Sequence, residues 1–385
     1  MSEALVVETR PAPALRQRRE VPFFNYPALF AEHREEYLST IADVLQRGAY
    51  IMQRDLAEFE TELAAYLGVR HAIGLADGTV ALKIALRLAG VGPGYEVILP
   101  SHTFIATAAA VHDVGAEPVL CDCGPDSMMD VGSARALVTR NTAAIMPVQL
   151  NGRTCDMDAV EALARDHGLK IVEDSCQALG ARYRGRYAGT FGVAGSFSFY
   201  PAKTLGCFGD GGALIVDDDD LAVMARELRD HGRGADGLVH RFGVNGRLDN
   251  VQAAVLRLKL ARYDESLARR RAIAAIYDAR LSGLDGLLLP PGPDADPDRF
   301  DVFQNYEVQS DRRDALRAFL ADRGVGTIVQ WGGSMTHQFK DLGLRARAPY
   351  AEAMSARYMM LPLHPMLSDD DVHYVCDQVE AFHHG

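Results

Sequence analysis

The stretch GSFSFYPAKTLGCFGDGGALIVD, residues 195–217, has two short apolar runs separated by a turn that carries one lysine, Lys203. The runs at 195–200 and 211–217 have the residue types of buried β-strands. An ammonium group between two such strands has to reach water or find a partner, because burying an unpaired charge is costly. The simplest explanation is a lysine that extends along the surface to solvent. The alternative is a reactive amine placed at the end of a strand.

Short apolar runs also alternate with helical patterns on the N-terminal side of this stretch. The predicted strands there lie at 72–76, 96–100, 117–122, 143–150 and 170–174. Apolar residues at helical spacing separate several of them. Strands that are apolar nearly throughout and separated by helices predict an α/β fold with a mostly parallel sheet covered on both faces. In such a sheet, ligands bind at the carboxyl ends of the strands.

Helical spacing over residues 249–283 predicts a long helix that leads into a second domain. A smaller α+β unit is then predicted from apolar runs and helical patterns at 303–310, 312–324, 326–331 and 369–382. We therefore expect three parts, which are an N-terminal arm (1–21), a large domain (22–255) and a small C-terminal domain (256–385).

The composition limits the partners that the chain can have. It contains 385 residues, 48% of them hydrophobic, with a formal net charge of −12. This acidic balance argues against a nucleic-acid or anionic membrane partner. The six cysteines form no CxxC pair, so we expect reduced thiols, no metal site and a cytoplasmic protein. The first twenty residues lack the apolar core of a signal peptide, and no stretch predicts a membrane span.

Candidate binding and catalytic residues stand where predicted strands end or helices begin. Asp174 ends the strand at 170–174, while Gly78 and Thr79 open the helix after the strand at 72–76, and Phe104 lies in the turn after 96–100. Unpaired N–H groups at a helix start favour a phosphate. Each residue also has a simpler explanation, as a turn residue, a helix cap or a core aromatic side chain.

Taken together with Lys203, these residues match the requirements of pyridoxal phosphate. The lysine supplies an amine for a Schiff base. The carboxylate keeps the pyridine nitrogen protonated, so that the ring accepts electrons. The helix start binds the phosphate, and the aromatic side chain stacks on the ring. The sequence therefore predicts a pyridoxal-phosphate enzyme.

Three motifs carry a specific family resemblance: EDSCQALGARYRGRYAG (173–189), FSFYPAKTLGCFGDGGAL (197–214) and FGVNGRLDNVQAAVLRLKL (242–260). In this order they resemble the sugar aminotransferases of the DegT/DnrJ/EryC1/StrS family, and the resemblance covers the chain from about residue 22 to residue 380. It implies fold type I of the pyridoxal-phosphate-dependent transferases, as in aspartate aminotransferase.

The resemblance also implies roles for individual residues. Lys203 is the amine that forms the Schiff base and the base that moves the proton between substrate and cofactor. Asp174 pairs with the pyridinium nitrogen, and Gln177 lies against the ring near its phenolic oxygen.

By the same resemblance, the cofactor phosphate is bound by Ser198, Gly78 and Thr79. Asn245, in GVNGR, matches an asparagine that reaches this phosphate from the neighbouring subunit. The resemblance thus implies a homodimer with shared active sites. A local turn role is the alternative for Asn245.

The chain departs from the family pattern at three places. Asp77 stands where Ser or Asn usually precedes Gly-Thr, which puts an acid close to a phosphate. QLNG (149–152) replaces His-x-Tyr-Gly, and QWGGSMTHQ (330–338) replaces a segment with His-Tyr-Pro. Such loops line the sugar-nucleotide end of the pocket, so these changes leave the substrate open. His337 and Arg229 are candidate ligands of a substrate diphosphate, with plain surface charges as the alternative.

The resemblance implies transfer of an amino group from L-glutamate, through the cofactor, to a keto group of a nucleotide-linked hexose in amino-sugar biosynthesis for a natural product or a surface glycan. We expect a dTDP-linked 6-deoxyhexose aminated at C4, because a 4-keto-6-deoxyhexose forms in one dehydration step. C3 is the alternative, since FGDGG (208–212) resembles the C3-aminating members of the family. A dehydratase of the family has histidine in place of the lysine, so Lys203 argues against that reaction. A keto-cyclitol aminotransferase and a non-catalytic regulatory member of the fold are the alternatives.

Overall fold

The computed structural model of the protein describes residues 19–384. Its helices, in chain order, are α1 (Tyr26–Glu32), α2 (Arg34–Gln46), α3 (Arg54–Leu67), α4 (Gly78–Leu88), α5 (Ile105–Asp113), α6 (Val131–Ala136), α7 (Met157–His167), α8 (Asp219–Arg229), α9 (Asn250–Leu260), α10 (Tyr263–Leu281), α11 (Arg313–Ala321), α12 (Pro349–Ser355) and α13 (Asp369–His384). Its strands are β1 (His71–Leu75), β2 (Glu96–Pro100), β3 (Glu117–Cys121), β4 (Thr142–Ile145), β5 (Lys170–Asp174), β6 (Arg182–Tyr183), β7 (Arg186–Tyr187), β8 (Ala194–Ser198), β9 (Gly212–Val216), β10 (Leu287–Leu288), β11 (Arg299–Phe300), β12 (Tyr306–Ser310) and β13 (Tyr358–Leu361).

A seven-stranded sheet in the order β1-β9-β8-β5-β4-β2-β3 is formed by strands from residues 71–216. Strands β3, β2, β4, β5 and β8 pair in parallel, while β9 runs antiparallel to both β8 and β1. All seven strands that the sequence predicts for this sheet occur. The predicted α/β class with a mostly parallel sheet is therefore confirmed.

Helices cover both faces of this sheet, which explains why its strands are apolar nearly throughout. Ile73 and Leu214 belong to a cluster with residues of α4, α5 and α8 on one face. Ala72 and Ile215, one residue away in each strand, belong to a cluster with residues of α3 and α9 on the other. Successive side chains of a strand point to opposite faces, so each strand needs apolar residues at both positions.

The topology gathers several loops at one edge of the sheet. Because β1 and β8 are both antiparallel to β9, β1 runs in the same direction as the parallel strands. The carboxyl ends of β1, β2, β4, β5 and β8 therefore meet at the same edge. The connection from β8 to β9, which contains Lys203, also starts at this edge.

A second, three-stranded sheet in the order β10-β12-β13 belongs to the C-terminal part of the chain. Its pairings are antiparallel, and α10, α11 and α13 contribute to its hydrophobic cluster. The predicted boundary at 255/256 stays a prediction. The cluster of the large sheet extends to Leu267 in α10, and that of the small sheet begins, along this helix, at Ile273.

Three local predictions differ from the structure. The run at 143–150 ends as a strand at Ile145, two residues before Pro147, which has no N–H to donate. The predicted helix over 249–283 is broken between α9 and α10. The run at 326–331 contributes only the bridge of Ile328 with Met360, because Trp331 and the glycine after it have left-handed φ values of 51° and 69°.

The predicted N-terminal arm falls mainly outside the described residues. Near its end, Val21 bridges to Val325. Within residues 19–384, no helix has the length and apolar character needed to cross a membrane.

Candidate active site

Three strand ends meet around Gly78, the first residue of α4. A β-carbon built on Gly78 would lie 2.7 Å from Sγ of Cys176 and 3.0 Å from Cβ of Ser198. Cys176 comes two residues after the end of β5, and Ser198 is the last residue of β8. The structure therefore brings together the predicted phosphate residues Gly78 and Ser198 and the segment that follows Asp174.

The start of α4 has the form of a phosphate cradle. The side chain of Asp77 caps the helix, since its Oδ1 accepts a hydrogen bond of 2.8 Å from the N–H of Val80. The carboxylate of Asp77, which departs from the family pattern beside a phosphate site, thus caps its own helix. The N–H groups of Gly78 and Thr79 belong to the first turn, where α-helices leave N–H groups without an intrahelical acceptor. These two N–H groups and the helix dipole favour an anion.

Asp174 is held by two donors at the end of β5. Its Oδ2 accepts from Oγ1 of Thr107 at 2.8 Å, and its Oδ1 accepts from the N–H of Cys176 at 3.2 Å. Thr107 lies in the first turn of α5, and its hydroxyl is 2.7 Å from that of Thr103. Asp174 is only 6% exposed, so its carboxylate is a buried acceptor in fixed orientation.

Lys203 lies close enough to this carboxylate to feel its charge. Burial lowers the pKa of the Lys203 amine, and the Cys176 thiol and the Asp174 carboxylate act in the opposite direction. Within residues 19–384, the structure shows no hydrogen bond or ion pair from Nζ of Lys203. A lowered pKa increases the neutral fraction of the amine, which is the nucleophilic form.

Gln177 has its side-chain amide oriented by neighbours. Its Oε1 accepts from the N–H of Asn151 at 2.8 Å and lies 3.5 Å from Nδ2 of Asn305. Nδ2 of Asn305 also donates to Oδ1 of Asn151 at 2.9 Å. Because the oxygen of Gln177 is engaged, its NH2 group is the part left to donate to a ligand oxygen.

The QLNG segment divides into a structural half and a half that faces the site. Gln149 is fully buried, donates to Glu173 at 2.8 Å and accepts from the N–H of Cys155 at 2.7 Å. It therefore supports β5 from behind. Asn151, with a left-handed φ of 55°, is the residue of this segment that reaches Gln177.

Phe104 is half exposed at the turn between β2 and α5. Its ring centroid lies 6.0 Å from that of Trp331, at an interplanar angle of 32°. Half of the Phe104 side chain is thus accessible, and its predicted stacking on a flat ring stays a prediction. The loop 330–338, whose sequence differs from the family pattern, contacts Phe104 through Trp331.

The two predicted diphosphate ligands lie in other surroundings than the sequence suggested. His337 is 6% exposed and bonds through Nε2 to Glu352 at 2.6 Å. Arg229 is 4% exposed and donates to Glu60 and, at 3.0 Å, to the carbonyl of Gly74 in β1. Neither is a surface charge. The contacts of Arg229 favour a structural role over its predicted role in substrate binding.

Asn245 is exposed and pairs through its backbone with Asp230. In the described part of the chain its side chain makes no hydrogen bond. Its neighbours include Phe242, which is 94% exposed, and Val244, which is also exposed. The surroundings of Asn245 therefore differ from those of the buried predicted residues, while the next residue, Gly246, accepts a hydrogen bond of 2.8 Å from the N–H of Ala76, two residues before α4.

Sequence reasoning missed the residues that orient the site. Thr107 is one of them, and its position three residues after Phe104 in a helix start was an available signal. Asn151 and Asn305 had no such signal, since their contacts join distant segments.

The donor set of this site fits pyridoxal phosphate. It combines a cradle that a β-carbon at Gly78 would fill, a buried carboxylate, an amine of lowered pKa and a half-exposed aromatic side chain. In residues 19–384, no group of three or more His, Cys, Asp or Glu is arranged to hold a metal ion.

Comparison with known proteins places these features in a family. The model of the DegT/DnrJ/EryC1/StrS aminotransferase family matches residues 31–380. The dTDP-3-amino-3,4,6-trideoxy-alpha-D-glucose transaminase of Streptomyces venezuelae is 42% identical over 367 residues, which cover 94% of this chain and 96% of that protein.

Solved structures agree with this match. The structure of S. venezuelae DesV in complex with a ketimine intermediate has a TM-score of 0.91 and 41% identity, and covers 95% of this chain and 99% of that one. NtdA from Bacillus subtilis, with bound cofactor PMP, has a TM-score of 0.88 and 27% identity, covering 96% of this chain and 87% of that one. The predicted fold type of pyridoxal-phosphate enzymes is confirmed.

Proposed function

Because the chain belongs to the DegT/DnrJ/EryC1/StrS aminotransferase family, we propose that it transfers an amino group from L-glutamate to a keto group of a nucleotide-linked hexose. The chain is a pyridoxal-phosphate-dependent aminotransferase, as the sequence predicted. The observation that carries the proposal is the convergence of Lys203, Asp174 and the Gly78 cradle at one edge of the sheet.

The cofactor supplies an electron sink that stabilises negative charge on the substrate carbon next to the amine. Lys203 would hold the cofactor covalently and then, as a free amine, move the proton between that substrate carbon and C4′ of the cofactor. The lowered pKa of Lys203 suits this work, since a base is effective when its pKa lies near the working pH.

The surrounding residues would orient the ring. Asp174 would keep the ring nitrogen protonated, Gln177 would donate its NH2 group to the phenolic oxygen, and Phe104 would stack on one face. Gly78, Thr79 and Ser198 would bind the phosphate. What supports these assignments is their position at the carboxyl ends of β1, β2, β5 and β8.

We further propose a homodimer in which Asn245 of one subunit completes the phosphate site of the other. Exposed apolar side chains flank Asn245, among them Leu238, Val239 and Phe242, which are 64%, 66% and 94% exposed. Apolar surface of this kind marks interaction sites.

For the substrate we propose a dTDP-linked 6-deoxyhexose. The S. venezuelae relative has its amino group at C3 by name, which supports C3 amination over the C4 amination that the sequence suggested. QLNG and QWGG, which replace the usual segments, are the positions where this chain would differ in substrate. A keto-cyclitol is the second candidate, because it would require the same cofactor residues.

The test is a panel of 3-keto and 4-keto sugars linked to dTDP, UDP and GDP, with a keto-cyclitol beside them. Each is offered with L-glutamate, and the product is located by NMR. We expect an amino sugar with nitrogen at C3. Amination of the cyclitol alone would contradict the proposed sugar substrate, and amination at C4 would contradict the proposed position of the new amino group.

A second measurement tests the chemistry itself. After borohydride reduction, peptide mass spectrometry is expected to find the cofactor on Lys203. Lys259→Ala is the matched control. Burial also lowers the pKa of Lys259, to about 8, but its Nζ donates to the carbonyl of Gly206, so this variant should still carry the label on Lys203. Labelling without any turnover on the panel would favour the regulatory alternative.

A further inference from the structure

Gln304 bonds to both residues that flank Lys203. Its Oε1 accepts from the N–H of Thr204 at 2.8 Å, and its Nε2 donates to the carbonyl of Ala202 at 2.6 Å. The sequence separations are 100 and 102 residues. Gln304 stands just before β12 in the C-terminal part of the chain, so this contact joins the small sheet to the reactive lysine.

These bonds restrict the backbone of Lys203 on both sides. The N–H of Lys203 donates to the carbonyl of Tyr200 at 2.8 Å, so both polar groups of the peptide before Lys203 are engaged. The peptide after it is held through the N–H of Thr204. Since φ and ψ set the direction of the Cα–Cβ bond, the amine depends on these peptides for its starting point.

Gln304 is itself held rigidly. It is 5% exposed, and its carbonyl accepts from Nη1 of Arg270 at 3.3 Å. The same nitrogen bonds to the carbonyls of Phe303, at 3.2 Å, and Leu363, at 3.1 Å. Arg270 is also buried and contacts carbonyl oxygens here, not a carboxylate. The backbone of Gln304 is therefore fixed, and the position of its side-chain amide is set from this fixed point and by the bonds to Ala202 and Thr204.

The next residue acts on a second part of the site. Asn305 lies 3.5 Å from Oε1 of Gln177 and donates to Asn151. Two consecutive residues before β12 therefore contact the flanks of Lys203 and the amide of Gln177.

We propose that Gln304 is a positioning residue that fixes the direction in which Lys203 presents its amine to the cofactor. The proposal rests on the proposed function, because it needs Lys203 to bind the cofactor. Gln304 does not touch the reacting atoms and acts through Ala202 and Thr204.

The first test replaces Gln304 by methionine, which keeps a similar volume and removes both hydrogen bonds. We expect cofactor affinity to fall by about tenfold, which corresponds to about 1.4 kcal/mol, because the amine then no longer starts from a fixed backbone direction. The kcat should fall with little change in the KM for glutamate, and the pH midpoint of the visible band of the lysine-bound cofactor should shift.

Gln309→Met is the matched control. Gln309 is equally buried at 5% exposure and lies in β12, but its Nε2 bonds to the hydroxyl of Tyr350 at 3.3 Å. We expect this variant to keep the wild-type midpoint and cofactor affinity even if it loses stability.

A second variant, Gln304→Glu, separates positioning from stability. The carboxylate can still accept from Thr204, but it donates to Ala202 only when protonated. Its cofactor affinity relative to the wild type should therefore improve as the pH falls. Unchanged affinity and band midpoint in both Gln304 variants would overturn the positioning role. A wild-type protein without cofactor on Lys203 would instead overturn the proposed function, and this inference with it.

Discussion

The hydroxyl of Thr107 donates a hydrogen bond of 2.8 Å to Oδ2 of Asp174 across a sequence separation of 67 residues. Because a hydroxyl has one proton to give, the contact between Thr103 and Thr107 must be donated by Thr103. The start of α5 thus supplies a short chain of donors that ends on the carboxylate proposed to face the ring nitrogen.

This relationship predicts a graded loss. Thr107→Val should lower the free energy of unfolding by about 1.5–3 kcal/mol, because a hydrogen bond to a buried carboxylate is lost. Its turnover should fall less than that of Asp174→Asn, for which we expect a loss of at least ~10²-fold, as when other preorganised electrostatic partners are removed. Chemical denaturation and single-turnover kinetics with glutamate measure the two effects.

Thr139→Val is the control for this prediction. The Thr139 hydroxyl also bonds to a carboxylate, that of Glu96 at 2.5 Å, but on the surface at the amino end of β4. It should leave turnover unchanged. Equal turnover of Thr107→Val and the wild type would contradict a role of α5 in holding Asp174.

Gly78→Ala should disturb the phosphate cradle. The added β-carbon would come within 2.7 Å of Cys176 Sγ and 3.0 Å of Ser198 Cβ, and overpacking of this kind costs about 1–3 kcal/mol. We expect weaker cofactor binding by titration. A second change, Cys176→Ala, should recover part of the loss, because it removes the nearer clash.

Gly92→Ala is the matched glycine control, since its nearest built contact is the carbonyl of Val114 at 3.8 Å. It should bind cofactor as the wild type does. If Gly78→Ala bound the cofactor equally well, the start of α4 would have to lie away from the phosphate.

The partly buried amine of Lys203 predicts a pH-dependent stability of the cofactor-free protein. Burial lowers its folded-state pKa below 10.5, so the penalty for burying the ammonium is fully present below the folded pKa. That penalty disappears as the pH rises toward the unfolded pKa. Lys203→Met should therefore be more stable than the wild type at low pH, and the difference should shrink as the pH rises.

Denaturant unfolding at several pH values measures this difference. Lys170→Met, at the exposed start of β5, is the control and should show no such trend. A difference between wild type and Lys203→Met that is the same at every pH would mean that the amine is solvated in the folded state.

If Asn245 of one subunit completes the phosphate site of the other, two inactive variants should complement each other. Asn245→Ala and Lys203→Ala should each lose activity, but a mixture that exchanges subunits should recover about a quarter of the wild-type sites. Half of the dimers are then mixed, and each mixed dimer of a two-fold symmetric pair has one intact site. Activity after mixing, compared with the separate variants, decides the matter. If native mass spectrometry shows that the subunits exchange and activity still does not recover, Asn245 does not act in the active site of the partner subunit.

Much of this protein follows from local sequence patterns. The seven central strands are short apolar runs separated by helical spacing, because both faces of the sheet are covered and nearly every strand position is buried. Parallel strands also place their carboxyl ends on one edge, so Asp174 and the glycine at the start of α4 could be assigned to one site from the sequence pattern, and the family resemblance added Ser198.

Only the tertiary structure decided how these residues are held. The donation from Thr107 to Asp174 and the two hydrogen bonds of Gln304 to the residues beside Lys203 are contacts of single polar groups between distant segments. Periodicity reports which face of an element is buried, and it carries no information about which distant amide or hydroxyl will meet a given acceptor. The pairing of Thr107 depends on how α5 packs beside β5, and that of Gln304 on how the C-terminal part of the chain packs against the large sheet. Neither packing is fixed until the whole chain folds.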